Sequence, residues 1–213
     1  MSVAETVAVR GISEVVHFTT NHGCLGTLYT QALQSRARLQ NDEMVKYLFA
    51  ANAELRRDIE YLDHISLSLE HINTSFYQIS AGKWHREEPI FWCILAFDPV
   101  VLTHEGVVFA STNNIYTSVT RGVGTAGLSN LFSDCVVRWS NNVVKRNHTT
   151  RLCYPTCYQA EALYPKSLST DYLQRIYVNT HDDQSETIGF IKATFHRDVD
   201  VIVAPEKFGV RPL

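Results

Sequence analysis

The sequence of 213 residues lacks several short motifs that mark common classes of enzyme. It contains no GxxxxGK[ST], no HExxH and no GxSxG. The first pattern forms a loop that binds phosphates, the second holds zinc on one face of a helix, and the third exposes a serine at a strand-to-helix turn. Their absence leaves P-loop, zincin and serine-hydrolase functions without support.

No charge of one sign dominates the chain, which has 19 Lys and Arg residues, 22 Asp and Glu residues and a formal net charge of −3. A global positive field that would hold nucleic acid non-specifically is therefore excluded, and any such binding requires a local basic patch. The sequence also lacks a bilayer-spanning apolar run and a charged-then-apolar leader at its start. We therefore expect a cytoplasmic protein.

Cysteine is sparse, and the five residues are Cys24, Cys93, Cys135, Cys153 and Cys157. An odd number scattered through a chain of this length indicates free thiols in a reducing compartment. His148 lies near Cys153 and Cys157, but the spacing is not that of a zinc finger and no fourth ligand is evident. We expect no metal site.

Apolar periodicity predicts a single α+β domain over residues 1–213, since helices come early and strands dominate later, without repeats or linkers. This order differs from the strict βαβ alternation of a doubly wound parallel sheet. Helices are predicted at residues 25–39, 41–62 and 185–193. Strands are predicted at SEVVHFTT (13–20), HISLSL (64–69), PIFWCILAF (89–97), GVVFAS (106–111), CYQAEALY (157–164), QRIYVNT (174–180) and VDVIVA (199–204).

Residues 112–151 form the least regular part of the chain and are rich in Asn, Ser, Thr and Gly. The last part carries four cations, with Trp139 among them and no acid between the first and the last: Arg138, Lys145, Arg146 and Arg151. Cations interleaved with an aromatic side chain suit a phosphate backbone and a stacked base. A solvated basic loop is the alternative interpretation, and composition alone favours it.

Two titratable residues stand out on the predicted strands. Glu161 lies in a run that is otherwise aromatic, small or apolar, and a glutamate is rarely buried without a partner. His17 ends an apolar strand and precedes a glycine-containing turn, which allows a ligand to approach the backbone closely. Each also has a structural interpretation, as an outward-facing strand residue for Glu161 and as a hydrogen-bonded strand-end residue for His17.

The segments around Glu161 and His17 indicate a function for both residues. A strand ending HFT, an arginine-bearing helix and a late strand with Gln-x-Glu resemble the ADP-ribosyltransferases, and the order of segments is similar to the DarT family of DNA ADP-ribosyltransferase toxins. The segments that carry this resemblance are VHFTTNHGCLGTLYTQAL, LRRDIEYLDHISLSLEHINTSFY, EEPIFWCILAFDPVVLTHEGVVFASTNN and YQAEALYPKSLSTDYLQRIYV. It implies a split β-sheet core with flanking helices and NAD as the donor of ADP-ribose.

The resemblance assigns roles to individual positions. Glu161 matches the catalytic glutamate. Arg57, or with less support Arg56, matches a functional arginine that would contact the phosphate of the cofactor or help stabilise the transition state. The HFT segment, which is His17, Phe18 and Thr19, would hold the nicotinamide-ribose side of NAD. Gly26 would let NAD lie against the following helix. The segment 113–160 matches the loop that presents the acceptor.

The acceptor implied by the resemblance is a base in single-stranded DNA, which gives Arg138, Lys145, Arg146 and Arg151 a role in gripping the strand. In place of the aromatic-rich strand of the thymidine-modifying branch, this chain has ISLSLEHINTSF, with Ser66 and Ser68 on the strand. That pattern resembles the guanine-modifying branch, and Phe76 or Tyr77 would replace the aromatic that stacks on nicotinamide, unless both are core residues. The partner implied is a DarG-like antitoxin with a macrodomain. Protein and RNA remain alternative acceptors.

Overall fold

The computed structural model describes residues 1–39, 60–86, 90–140 and 142–211. In these residues the strands are β1 (Val15–Thr20), β2 (Ala32–Gln34), β3 (His64–Leu69), β4 (Trp92–Phe97), β5 (Val108–Ala110), β6 (Arg121–Val123), β7 (Cys135–Trp139), β8 (Asn142–Lys145), β9 (Glu161–Pro165), β10 (Ser167–Ser169), β11 (Leu173–Val178) and β12 (Asp200–Val203). The α-helices of the same part of the chain are α1 (Val3–Arg10), α2 (Asn21–Thr30), α3 (Arg36–Leu39), α4 (Thr74–Ile79), α5 (Gly124–Asn130) and α6 (His181–Ala193).

Eight strands form the main sheet in the order β12-β11-β4-β1-β3-β9-β5-β6. Neighbouring strands are antiparallel except for the parallel pair β11 and β12. Two small sheets, β10 with β2 and β7 with β8, lie outside it. Together with the six helices this is an α+β fold, as the sequence predicts.

Hydrophobic side chains cover both faces of the main sheet. All six residues of β4 are buried, as expected for an inner strand with a continuous apolar sequence. Successive residues point to opposite faces, so Val15 belongs to the larger core cluster and Val16 to a smaller one. The smaller cluster also contains Ile94, Tyr177 and other residues, and it lies on the face that carries the candidate site.

Most of the predicted strands are confirmed, but the helix predicted at residues 25–39 is interrupted, with helical segments only up to Thr30 and from Arg36 to Leu39. Helix α2 ends after Thr30, because Gln31 adopts a left-handed conformation with φ 54° and caps it. The next three residues form β2, which pairs with β10. The helix predicted at 41–62 falls mostly on residues 40–59, which lie outside the described part of the chain.

Residues 112–151, which the sequence predicts to be the least regular part of the chain, do contain regular elements. The segment contains β6, α5 and the hairpin of β7 and β8, whose strands pair through Val136 with Val144 and Val137 with Val143. These β-branched residues favour strands, and Ser140 supplies a positive φ of 44° in the turn. The polar composition of the segment had concealed this pattern.

The sequence GVGTAG at 122–127 has the GxGxxG spacing, but here it joins an edge strand of the main sheet, which pairs antiparallel with β5, to a short helix. Its glycines serve packing. A Cβ on Gly127 would collide with the backbone carbonyl of Gly122, and a Cβ on Gly122 would lie 2.8 Å from the Gly127 Cα. The two glycines therefore let α5 lie directly against β6, which begins at Arg121.

Replacing Gly127 by alanine should destabilise the fold by about 1–3 kcal/mol, because the new methyl group forces α5 away from β6. Gly189 is the matched control, since it lies inside α6 and an added Cβ would meet no heavy atom of the described residues within 4 Å outside its own helix backbone. Gly189→Ala should be neutral or stabilise by up to about 1 kcal/mol through helix propensity. Urea unfolding followed by circular dichroism measures both, and equal effects would contradict the close approach of α5 and β6.

Candidate active site

The candidate site lies where β1 and β3 separate. The two strands pair at Val15 with Leu69 and at Val16 with Ser68, and the ladder then stops while both strands continue. His17 spans the start of this gap, and its Nδ1 N–H donates to the Ser66 carbonyl oxygen at 2.9 Å. Since this bond places the ring proton on Nδ1, the neutral imidazole has its lone pair on Nε2. The gap is the split that the sequence resemblance implies.

Glu161 is the first residue of β9 and is only 4% exposed. Ser66 pairs with Leu163, two residues after Glu161, so the two side chains share one face of the sheet. The Ser66 hydroxyl donates to Oε1 of Glu161, and the backbone N–H of Asn114 donates to Oε2 at 2.7 Å. Both carboxylate oxygens are therefore held by donors from different segments, which fixes the orientation of the group.

Asn114 is in turn held by Arg121. The guanidinium donates from Nε to the Asn114 Oδ1 at 2.7 Å and from Nη2 to the Asn114 carbonyl oxygen at 3.0 Å. It also lies 5.0 Å from the Tyr61 ring centroid and 3.5 Å from a carboxylate oxygen of Glu60. Two bonds to one residue restrict the Asn114 backbone, so Arg121 positions the N–H that contacts Glu161.

Asn114 is the last of four consecutive buried polar residues, which begin at Ser111. Buried polar groups are costly unless they are hydrogen-bonded. Here the Ser111 hydroxyl accepts from the Thr120 N–H at 3.0 Å, and the Asn113 side chain accepts from the Ile115 N–H at 3.1 Å. The run is thus an ordered support for the carboxylate.

The resemblance predicts that His17 and Glu161 share one site. Both lie at the split, where His17 bonds the backbone carbonyl of Ser66 and Glu161 bonds its hydroxyl. Phe18 has a different environment, because its ring packs at 5.5 Å from Phe76 and at 5.7 Å from both Tyr77 and Trp92. Its side chain therefore packs in an aromatic cluster, so the predicted contact of Phe18 with NAD would be made by its backbone.

Phe76 and Tyr77 both pack edge-on against Phe18. Burial raises the pKa of the Tyr77 phenol above its ordinary value, as expected for a ring inside this cluster. Tyr77 packs against the smaller core cluster, and Phe76 is half-buried beside the same Phe18 ring.

Thr19 lies just before helix α2, and Gly26 lies within it. A Cβ on Gly23 would collide with the Thr19 hydroxyl, so this glycine allows α2 to approach the end of β1. Gly26 is buried within α2, and its carbonyl oxygen accepts from the Thr30 hydroxyl at 2.9 Å. The predicted contacts of Thr19 and Gly26 with NAD stay predictions, as does that of Arg57, which with Arg56 lies outside the described residues.

The four cations predicted to grip DNA differ in their surroundings. Arg146 donates to the Tyr154 carbonyl oxygen at 2.8 Å and to the Arg151 carbonyl oxygen at 2.9 Å, so it braces the segment that precedes Glu161. Arg138 lies 3.9 Å from the Trp139 ring centroid and donates to the hydroxyl of Tyr158 at 3.1 Å. The remaining two, Lys145 and Arg151, are exposed.

Within the part of the chain that the structure describes, no group of three or more His, Cys, Asp or Glu side chains could hold a metal ion. Cys153 and Cys157 are free thiols. In the same residues no helix is both long and apolar enough to cross a membrane.

Comparison with known proteins gives the family. The family model described as "ssDNA thymidine ADP-ribosyltransferase, DarT" matches residues 16–209. Among solved structures, Thermus sp. 2.9 DarT in complex with NAD+ is similar with a TM-score of 0.63 and 14% identity, over 92% of this chain and 97% of that one. The same protein in complex with ADP-ribosylated ssDNA has a TM-score of 0.65 and 15% identity, over 92% and 96% of the two chains.

A third similar structure is Thermosipho africanus DarTG in complex with ADP-ribose, with a TM-score of 0.62 and 14% identity over 92% of this chain. The chain spans only 51% of that protein. Comparison with curated protein sequences gives no match.

A split sheet that holds a buried glutamate beside a histidine is the arrangement of an ADP-ribosyltransferase. Because the family model covers most of the sequence, the chain belongs to the DarT family of single-stranded DNA ADP-ribosyltransferases. The resemblance based on the HFT and Gln-x-Glu segments is thereby confirmed.

Sequence reasoning assigned no role to Asn114 or Arg121. The block GVVFASTNN is part of the resemblance, but only the structure reveals that its buried polar end donates a hydrogen bond to Glu161. Arg121 follows seven residues after Asn114 in the sequence, and no spacing rule predicts that its side chain folds back. The one available signal was the run of four polar residues after an apolar strand.

Replacing Ser66 by alanine should lower kcat for ADP-ribose transfer about tenfold, because one oxygen of Glu161 loses its donor and the carboxylate is less well fixed. The Glu161 side chain stays in place through Asn114, so KM for NAD should change less than kcat. Ser167→Ala is the control, since Ser167 is a half-buried serine on a strand of a separate small sheet. Steady-state kinetics with matched thermal unfolding measures this, and an unchanged kcat would contradict the positioning role of Ser66.

Proposed function

We propose that this chain cleaves the nicotinamide–ribose bond of NAD and transfers ADP-ribose to a base of single-stranded DNA. The observation that carries the proposal is the buried carboxylate of Glu161, held by Ser66 and Asn114 at the split between β1 and β3. The family to which the chain belongs performs this class of reaction.

The geometry suits the chemistry of this bond cleavage. Loss of nicotinamide develops positive charge at the anomeric carbon, and a carboxylate held in a fixed orientation stabilises that charge most strongly in the transition state. Glu161 supplies this negative charge. Because Glu161 is buried, its field is screened less than in bulk water. Glu161 would also accept a hydrogen bond from the ribose 2′-hydroxyl and take a proton from the attacking base nitrogen.

NAD binding is assigned to the open end of the split. Two solved structures with the same fold hold NAD+ and carba-NAD+, which supports NAD as the donor here. His17, Phe18 and Thr19 would contact its nicotinamide-ribose side, Gly26 would let it approach α2, and Arg57 would contact its phosphates or stabilise the transition state. His17 suits this role because its ring lies in the gap between β1 and β3.

Guanine is the acceptor base that we propose. Its support is the strand ISLSL, in which Ser66 and Ser68 replace the aromatic residues of the thymidine-modifying branch. Thymine is the second candidate, because the description of the matching family model names thymidine. The two bases differ in the nitrogen that attacks, while the role of Glu161 is common to both reactions.

The biological setting follows from the same family. We propose that the chain is the cytoplasmic toxin of a toxin–antitoxin system and that its partner is a DarG-like antitoxin with a macrodomain, which would remove ADP-ribose from DNA. The structural match to DarTG supports this pairing, and the chain aligns with about half of that protein, 51% of its length.

Mass spectrometry of short single-stranded oligonucleotides tests the proposed function. Two oligonucleotides, one with guanine and one with thymine as the only candidate acceptor, are incubated with NAD and the protein. We expect the guanine oligonucleotide to gain the mass of one ADP-ribose with the wild type and at least about a hundredfold less with Glu161→Ala. A gain on thymine alone would keep the enzyme class and contradict the branch. NAD consumption with protein or RNA, and no gain on DNA, would contradict the proposed acceptor class.

A further inference from the structure

A cavity of about 360 Å³ lies between helix α4, the segment before Glu161 and the C-terminal part of the described chain. Sites that bind small molecules and nucleotides typically occupy about 300–1,000 Å³. The residues that line it are Thr74, Ser75, Gln78, Thr150, Tyr154, Tyr158, Val210 and Arg211. They combine two phenol rings, a guanidinium, an amide and several hydroxyl groups.

The cavity adjoins the face of the sheet that carries Glu161. Helix α4 forms one wall, and on this helix Phe76 packs against Phe18, which lies on the same face as Val16 and its partner Ser68. Tyr158 forms another wall, three residues before Glu161. The two walls are joined by a hydrogen bond of 2.8 Å between Ser75 and the Tyr158 hydroxyl.

Arg211 is fixed at the rim of this cavity. Its guanidinium donates to the Pro155 carbonyl oxygen at 3.0 Å and lies 4.9 Å from the Tyr154 ring centroid. Burial lowers the pKa of Arg211 from its ordinary value, so a neighbouring anion would restore a favourable environment for its charge. The bond to Pro155 uses one of the five N–H donors of a guanidinium.

The segment that carries Arg211 is itself anchored to the sheet. Lys207 contacts the buried carboxylate of Glu14 at 2.5 Å, and Tyr177 donates to the other oxygen of Glu14 at 2.8 Å. Burial and the Glu14 carboxylate together raise the pKa of Tyr177 to about 12. This cluster holds the chain a few residues before Arg211, so the guanidinium position is defined by the fold.

We propose that this cavity binds a nucleotide of the single-stranded DNA next to the acceptor base, with Arg211 on its phosphate and the half-buried ring of Tyr158 against its base, while the buried Tyr154 ring supports Arg211. Phenol rings stack on any base, and a guanidinium pairs with a phosphate through two parallel hydrogen bonds. Gln78 adds a donor and an acceptor for a base edge. The inference rests on the proposed function, because the DNA strand must pass beside Glu161.

DNA fits the cavity better than the adenosine end of NAD because one wall of the cavity belongs to the cation-bearing segment that leads into Glu161. Residues 150–158 lead directly into Glu161, and Arg138 and Arg146 both hold this part of the chain, by bonding Tyr158 and Tyr154. Exposed cations, Arg151 and Lys145, lie in the same region of sequence, where no acid occurs between residues 138 and 151. A strand of phosphates running along this side would meet the cavity beside the reacting base.

The test measures DNA binding separately from turnover. Fluorescence anisotropy of a labelled single-stranded oligonucleotide is recorded with Glu161→Ala protein, alone and combined with Arg211→Ala or with Gln78→Trp, which fills the cavity from an exposed position on α4. Lys192→Ala on α6 is the matched control, because it removes one exposed positive charge far along the chain from the cavity. The KM for NAD and for DNA is measured for the same substitutions in the otherwise wild-type protein.

We expect Arg211→Ala and Gln78→Trp each to raise the Kd and the KM for DNA about tenfold and to leave the KM for NAD near its wild-type value. The Lys192→Ala control should keep all three constants near their wild-type values. Arg211→Ala should also reduce the slope of log Kd against log salt concentration by about one, which corresponds to the loss of one phosphate contact. A rise in the KM for NAD instead would assign the cavity to NAD and overturn the inference. Unchanged DNA binding in both variants would also overturn it, while wild-type transfer to DNA would leave the proposed function intact.

Discussion

A carboxylate that is 4% exposed needs hydrogen-bond donors, and the structure supplies them to Glu161 from two directions. Ser66 reaches one oxygen from the neighbouring strand, and the Asn114 N–H reaches the other from the loop after β5. Removing a charge from water costs several kcal/mol unless it is paired or hydrogen-bonded, so these donors are a condition for the fold as well as for the site. Arg121 extends the support by holding Asn114 through two bonds.

The same constraint explains why the site needs most of the chain. β1 supplies His17, β3 supplies Ser66, the loop after β5 supplies Asn114, and β9 supplies Glu161. These segments are distant in sequence and meet only because β1, β3, β9 and β5 are neighbours in the sheet. The ladder between β1 and β3 stops beside the carboxylate, and Phe18 packs this end of β1 against α4 and β4 on the side of the smaller core.

The sequence predicts the inner part of this architecture well. Strands such as HISLSL and PIFWCILAF have apolar runs or strict alternation, and they are recovered close to their observed bounds. Local signals fail where a long-range contact decides the outcome. Pairing of β2 with β10 interrupts the predicted helix after Thr30. Asn114 and Arg121 act through hydrogen bonds that no sequence spacing encodes.

The central claim is that a fixed negative charge at Glu161 stabilises the positive charge that develops as nicotinamide leaves. The most direct measurement is the single-turnover rate of nicotinamide release at saturating NAD and oligonucleotide, for the wild type and for Glu161→Gln, together with the Kd for NAD from calorimetry. Glutamine keeps the size of the side chain and removes the charge. The account predicts a rate at least about a hundredfold lower with a Kd within about threefold of the wild type. A rate within about threefold of the wild type would contradict it.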